Sequence, residues 1–178
     1  MHAGWIAEMA IGRRVTALGG TTFDERDGRL WAYAVSLGAT RDDAADIVQE
    51  ALLRRTQAIE EGKDLHNQDG WLYATVHHLV VDEARHRSAF RRALARLVGL
   101  RETHGIVDPP EVAGDEVWTA VEALPTRQRA AIHLRYRADL DYAAIASVLN
   151  VSQGAARSYV AKALITLERH LGPRRDEL

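Results

Sequence analysis

The stretch ETHGIVDPPEVAG, residues 102–114, holds the only Pro-Pro pair in the chain, two glycines and no basic residue. That composition does not sustain a helix or a strand, so it predicts a linker that cuts the 178-residue chain into two blocks. Blocks of this kind, on the order of 60–80 residues, have marginal cores. On both sides of the linker apolar residues recur at helical spacing, and no alternating strand pattern survives inspection. The expected fold class is therefore all-α, two small helical domains joined by a flexible linker.

In the first block Phe23, Leu30, Trp31, Ala34 and Leu37 form an apolar stripe that stops at Gly38, a residue suited to the left-handed position after a helix. Thr40 starts the next helix as a cap, with Asp43 expected to reach back to it and Asp42 and Asp43 in the first turn. Ala44, Ile47, Val48, Ala51 and Leu52 make its buried face, and Asp46, Gln49, Glu50 and Leu53 make the opposite one. A loop of turn formers, EEGKDLHNQDG from Glu60 to Gly70, leads to a third helix expected to begin near Trp71, with Leu72, Val76, Leu79 and Val80 as its core stripe. Its far end carries Arg85, Arg87, Arg91, Arg92 and Arg96.

The second block opens with a short helix capped by Asp115, carrying Val117, Trp118, Val121 and Leu124, and ended by Pro125. A helix from about Arg127 to Tyr136 follows. Asp141 then caps a short helix, Tyr142 to Leu149; Asn150 takes the turn; and Ser152 caps a long helix that Gly172 and Pro173 stop. Short helix, tight turn, long helix is the helix-turn-helix pattern, whose second helix enters the major groove by its N-terminal turns. Those turns display Gln153, Arg157, Ser158 and Lys162.

A net charge of −2 argues against a nucleic-acid binder until its distribution is considered. Residues 71–101 hold six basic and two acidic side chains, and 125–178 hold nine and five. Residues 40–70 hold four and eight, and 102–124 none and six. Two basic blocks thus alternate with acidic ones, and basic surface is what phosphate contact needs. With no cysteine there is no disulfide, thiolate metal site or cysteine nucleophile, as suits the cytoplasm. Residues 1–18 carry Glu8 and have their Arg13–Arg14 pair after the apolar part, so they read as neither a leader nor a membrane span.

These residues resemble the sigma-70 family, specifically its small extracytoplasmic-function (ECF) group, which has only the domains called sigma-2 and sigma-4. DDAADIVQEALLR, Asp42 to Arg54, is similar to the family's polymerase-binding helix, and GWLYATVHHLVVDEARHR, Gly70 to Arg87, to its promoter-opening helix. Leu124 to Leu164 is similar to the helix-turn-helix that reads the minus-thirty-five element. The resemblance implies an N-terminal extension without counterpart at 1–22, a sigma-2-like domain at 23–98, a linker at 99–114, a sigma-4-like domain at 115–172 and a tail at 173–178. It implies polymerase contact by Asp46, Gln49, Glu50 and Leu53. For the minus-ten element it implies His66, Asn67, Gln68, Trp71, Tyr73, His77, His78 and Arg85. For the minus-thirty-five element it implies Ser152, Gln153, Arg157, Ser158, Tyr159 and Lys162. The implied partners are core RNA polymerase, through the clamp helices of its largest subunit and its flap, and promoter DNA, duplex and single-stranded. An anti-sigma factor is admitted as a further partner; no membrane insertion, cofactor, metal or catalysis is implied. Three positions depart from the family pattern: His78 stands where Asn is usual, Ala155 where Thr is usual, and Tyr159 where Arg is usual.

Plainer readings compete at several positions. The acidic face of the second helix could be only solvated surface, and Trp71 and Tyr73 only core aromatics. A helix-turn-helix regulator acting without polymerase would leave the first block unexplained. A metal-dependent hydrolase would use His78, Asp82 and His86, but these span two turns, or ~12 Å, too far for one ion to reach from one straight helix.

Overall fold

The computed structural model describes residues 25–65, 67–98 and 116–172. Their regular secondary structure is helical throughout, in the order α1 (Glu25–Ser36), α2 (Arg41–Glu60), α3 (Gln68–Val98), α4 (Glu116–Glu122), α5 (Thr126–Ile132), α6 (Tyr142–Leu149) and α7 (Gln153–Leu171). A wider π-helical turn, His133–Arg137, continues α5. Phe23, Asp115, His66, residues 1–22 and the expected linker at 102–114 lie outside the described residues.

The local signals act where they are expected. Gly38 sits at φ +100° and ends α1. The Thr40 hydroxyl accepts from the Asp43 N–H at 3.1 Å, Asp141 Oδ1 from the Ala144 N–H at 2.7 Å, and the Ser152 hydroxyl from the Ala155 N–H at 3.2 Å, capping α2, α6 and α7. Each such cap is worth about 1 kcal/mol, because it satisfies a backbone N–H the helix leaves free. Asn150 takes the left-handed conformation at φ 51° and turns the chain between α6 and α7.

Three expectations need correction. Asp43 does not reach back to Thr40; its carboxylate accepts from Arg87 Nη1 at 3.3 Å, tying α2 to α3, because the longer partner outcompetes the local backbone. The third helix begins at Gln68 rather than near Trp71, since Asn67 Oδ1 accepts the Gly70 N–H at 2.8 Å and so starts the helix one turn earlier. The helix expected from Arg127 to Tyr136 does not stay α-helical; it widens at His133 and ends at Arg137, two residues before Asp139, a non-glycine residue with φ 52°.

Helices α1, α2 and α3 pack around Leu30, Tyr33, Ala34, Ala44, Val48, Ala51, Leu72, Val76 and Val80. Helices α4, α5 and α7 close over Val117, Trp118, Val121, Ile132, Val160, Ala163 and Leu167. The two units also pack on each other. The first core runs on into Leu134, Leu140, Ile145, Ala146 and Val148, with α6 against α3 and α5 against α1. This explains why α1 is buried all round from Leu30 to Ser36, a pattern a one-sided stripe does not give.

Candidate polymerase and nucleic-acid interfaces

Helix α2 sets one surface. Its core residues Ala44, Ile47, Val48 and Ala51 face inward, which leaves Asp46 and Gln49 exposed, Glu50 half-buried and Leu53 59% exposed on one ridge. A leucine so exposed between acid and amide groups is suited to a partner with an apolar pocket rimmed by cations. Glu50 is not idle: its Oε1 accepts from Arg54 Nε at 2.7 Å. An exposed pair of this spacing is worth only a few tenths of a kcal/mol, so a partner cation can compete for the carboxylate.

The residues assigned to the minus-ten element divide into two sets. Asn67 is the cap of α3, and Gln68 Oε1 accepts from Arg55 Nη2 at 2.8 Å, so both exposed amides already have intramolecular partners. Trp71 is half-buried, His78 exposed, and Arg85 exposed but paired with Asp82 at 3.2 Å. Tyr73 is a core residue, 5% exposed, in an edge-to-face contact with Tyr33 at 5.2 Å. Burial pushes its hydroxyl up to about 12, with Asp69 adding to the rise and Arg29, Arg137 and Arg26 opposing it. The Tyr33 hydroxyl and His77 Nδ1 are hydrogen-bonded at 3.0 Å, and burial, aided by His78 and Arg127, lowers that imidazole from 6.5 to about 4. His77 is therefore neutral near pH 7 and offers no cation to a phosphate.

The second unit presents an exposed polar surface on its last helix. The buried face of α7 is Ala156, Val160, Ala163 and Leu167, so Gln153, Arg157 and Lys162 project outward with Ser152, while Ser158 and Tyr159 are half-buried. The Arg157 guanidinium lies 5.3 Å from the Tyr142 ring centre, which holds it at the N-terminal half of α7 without using its hydrogen-bond donors.

Two residues passed over in the sequence now stand out. Arg127, at the start of α5, donates from Nη1 to the Tyr159 hydroxyl at 3.0 Å, bringing a cation to the position where the family pattern has Arg. The TRQR run after Pro125 was the available signal. Phe90, 69% exposed, lies among Arg87 and Arg91 beside a groove of about 520 Å³ that Gly38, Glu83, Ala84 and His86 also line. An isolated Phe within an arginine run was its signal. No helix among the described residues is long and apolar enough to cross a membrane, and no described group of three His, Asp or Glu is placed to hold a metal ion.

Two family models match the chain, one in each half. The family model for sigma-70 region 2 matches residues 23–90, and that for sigma-70 region 4 matches residues 114–167. The ECF RNA polymerase sigma factor SigL of Mycobacterium tuberculosis is 30% identical over 163 residues, covering 84% of this chain and 88% of that protein. SigC of the same species, also an ECF sigma factor, is 33% identical over 139 residues, covering 76% and 71%. Among solved structures, the sigma factor RpoE in complex with the anti-sigma factor NepR, from Bartonella quintana, matches with a TM-score of 0.60. It is 23% identical, and the match covers 84% of this chain and 94% of that one, so it supports the fold. With both regions matched in order and a relative covered almost end to end, the chain belongs to the sigma-70 family, in its extracytoplasmic-function group.

Proposed function

We propose that this chain binds core RNA polymerase and directs it to promoters, acting as a transcription initiation factor in the cytoplasm with no catalysis of its own. The observation that carries the reading is one chain holding, in family order, the exposed Asp46–Gln49–Leu53 ridge on α2 and the capped helix-turn-helix that projects Gln153, Arg157 and Lys162. The functional divisions are residues 23–98 for polymerase and the minus-ten element, a linker at 99–114, and residues 115–172 for the minus-thirty-five element.

The ridge of Asp46, Gln49, Glu50 and Leu53 docks on the clamp helices of the largest subunit, and the second region meets the flap. Arg157 reads a base edge in the major groove, while Lys162 and Arg127 neutralise phosphates. On the minus-ten side the chain opens DNA by differential affinity. Trp71, His78 and the amides of Asn67 and Gln68 favour unpaired bases over paired ones, and that difference alone shifts the duplex equilibrium. Nucleotide hydrolysis is not required. The structural likeness to a sigma factor bound to NepR supports an anti-sigma factor as a further partner. A regulator working without polymerase would give the α2 ridge no task.

The test is co-elution of the purified chain with core polymerase before DNA is added, comparing the wild type with Asp46→Ala/Glu50→Ala. Expected is a complex that the double variant weakens at unchanged helicity. Equal binding by a folded double variant would remove the ridge from the interface.

A further inference from the structure

We propose that Tyr142 is a specificity-determining positioning residue: its ring, held in place by Arg135, aims the Arg157 guanidinium at a base edge and away from the phosphates. This rests on the base-reading role given to Arg157 above and names the residues that make it sequence-specific.

The ring is fixed before Arg157 meets it. Asp141 caps α6 through the Ala144 N–H at 2.7 Å, which sets where the helix begins and so the direction in which Tyr142, its first residue, leaves it. Tyr142 is half-buried and packs against both apolar cores. The Arg135 guanidinium lies 5.5 Å from the ring centre. That arginine is itself tethered: its Nη1 donates to the Leu140 carbonyl at 3.0 Å and lies 3.8 Å from Asp139 Oδ1.

The widened turn thereby acquires a task. It carries Arg135, and Asp139 at φ 52° then returns the chain so that Leu140 enters the core with its carbonyl beside Arg135. The side chain of Asp139 is 98% exposed, so no packing of its own accounts for a conformation that a non-glycine residue rarely adopts. Wider helical turns and backbone strain concentrate at functional sites. Here the path leads from the turn through Arg135 and Tyr142 to a reading residue.

Arg157 is exposed, and among the described residues it makes no hydrogen bond or ion pair; the Tyr142 ring, 5.3 Å from its guanidinium carbon, is what restrains it. A guanidinium held over a ring is attracted by the ring's negative face and keeps all five N–H donors free. An unrestrained arginine on the same turn would swing to the nearest phosphate, where charge alone is satisfied. Held over Tyr142, it presents a planar fork that matches the paired acceptors O6 and N7 of guanine. Because this ordering precedes the arrival of DNA, less side-chain freedom is lost on binding.

The test is selection from promoter fragments with a randomised minus-thirty-five element, followed by salt titration, with the full chain bound to core polymerase. The wild type should favour guanine at one position. Tyr142→Leu should lose that preference about tenfold, as Arg157→Ala should, yet keep the wild-type salt slope because the Arg157 charge remains. Tyr142→Phe keeps the ring and should keep the preference; a loss equal to that of Tyr142→Leu overturns the ring's role. The double variant Tyr142→Leu/Arg157→Ala should select no differently from Arg157→Ala, since Tyr142 acts only through Arg157. A folded Tyr142→Leu that still favours guanine, or that loses affinity evenly for all sequences, overturns the positioning role and leaves reading by Arg157 standing. An unchanged preference in Arg157→Ala refutes that reading and the positioning with it. A wild type that forms no complex with polymerase refutes the sigma-factor function, and the same selection on the full chain alone then decides the role of Tyr142. Side-chain NMR relaxation adds an arm free of substitutions. The Arg157 Nε–H should be more ordered than that of Arg92, which is exposed and unpaired among the described residues, and equal mobility counts against the restraint.

Discussion

Replacing His133 with Gln should flatten the acid side of the protein's stability profile. His133 is 2% exposed, its ring centre 4.8 Å from that of Trp118, and its Nε2–H donates to Glu122 Oε1 at 3.3 Å. Nδ1 is buried with no partner, so a second proton there would add an unsatisfied donor to a charged, dehydrated ring. Burial lowers the imidazole from 6.5 to about 4; Glu122 opposes the shift through its hydrogen bond and charge, while Arg137 and Arg129 reinforce it. Above pH ~6.5 the ring is neutral whether the chain is folded or not. As pH falls below that value the unfolded chain takes up a proton the folded chain refuses, so stability is lost between ~6.5 and ~4 and falls no further from this group below ~4. The shift corresponds to about 3 kcal/mol in full, of which about 2 kcal/mol is lost by pH ~5. Gln keeps an N–H donor for Glu122 and does not titrate. Urea unfolding at a series of pH values should show the wild type losing about 2 kcal/mol more than His133→Gln between pH ~7.5 and ~5. His77 titrates in both proteins and cancels in the difference. Parallel profiles would refute the assignment of a neutral, desolvated His133.

Arg157→Ala should relax base preference within the minus-thirty-five element, at a cost of ~1–3 kcal/mol against the preferred sequence, whereas Lys162→Ala should weaken binding evenly and reduce its salt dependence. Selection from a randomised element followed by salt titration distinguishes the two, and an unchanged preference in Arg157→Ala removes it from reading. At Asn67 the cap and any base contact can be separated: Asn67→Ala should cost about 1 kcal/mol of stability, while Asn67→Ser keeps an accepting oxygen for the Gly70 N–H. If Asn67→Ser is stable but promoter thymines lose permanganate reactivity, the amide contacts a base; if reactivity is retained, Asn67 serves the helix alone.

Much of this fold is written locally. Thr40, Asp141 and Ser152 cap, Gly38 and Asn150 turn, and the stripe on α2 buries Ala44, Ile47, Val48 and Ala51, because each feature depends on neighbours within a few positions. What was not legible depends on distant partners. Asp43 had equally good local and remote acceptor roles, and only the approach of Arg87 on α3 decides between them. The widened turn at His133–Arg137 has no composition signal; the positive φ that follows it falls on Asp139, where a glycine would have announced the turn. The stripe of Leu30, Trp31, Ala34 and Leu37 predicts one buried face of α1, whereas the burial of every residue from Leu30 to Ser36 depends on the second unit, which the spacing does not announce. Of the residues proposed for the interfaces, Asp46, Gln49 and Leu53 on α2 and Gln153, Arg157 and Lys162 on α7 are exposed, while Glu50, Ser158 and Tyr159 are half-buried. Tyr73 and His77 could not be judged, since both readings of an aromatic on α3, core or strand-binding, share the same spacing.

Run-off transcription with purified core polymerase on a library of genomic promoter fragments tests the sigma-factor function most directly. Adding the chain should produce discrete transcripts from a subset of fragments that share two spaced elements, with none from core polymerase alone, and Asp46→Ala/Glu50→Ala should reduce them. A folded chain that binds those fragments without polymerase and yields no transcript with it would contradict that function.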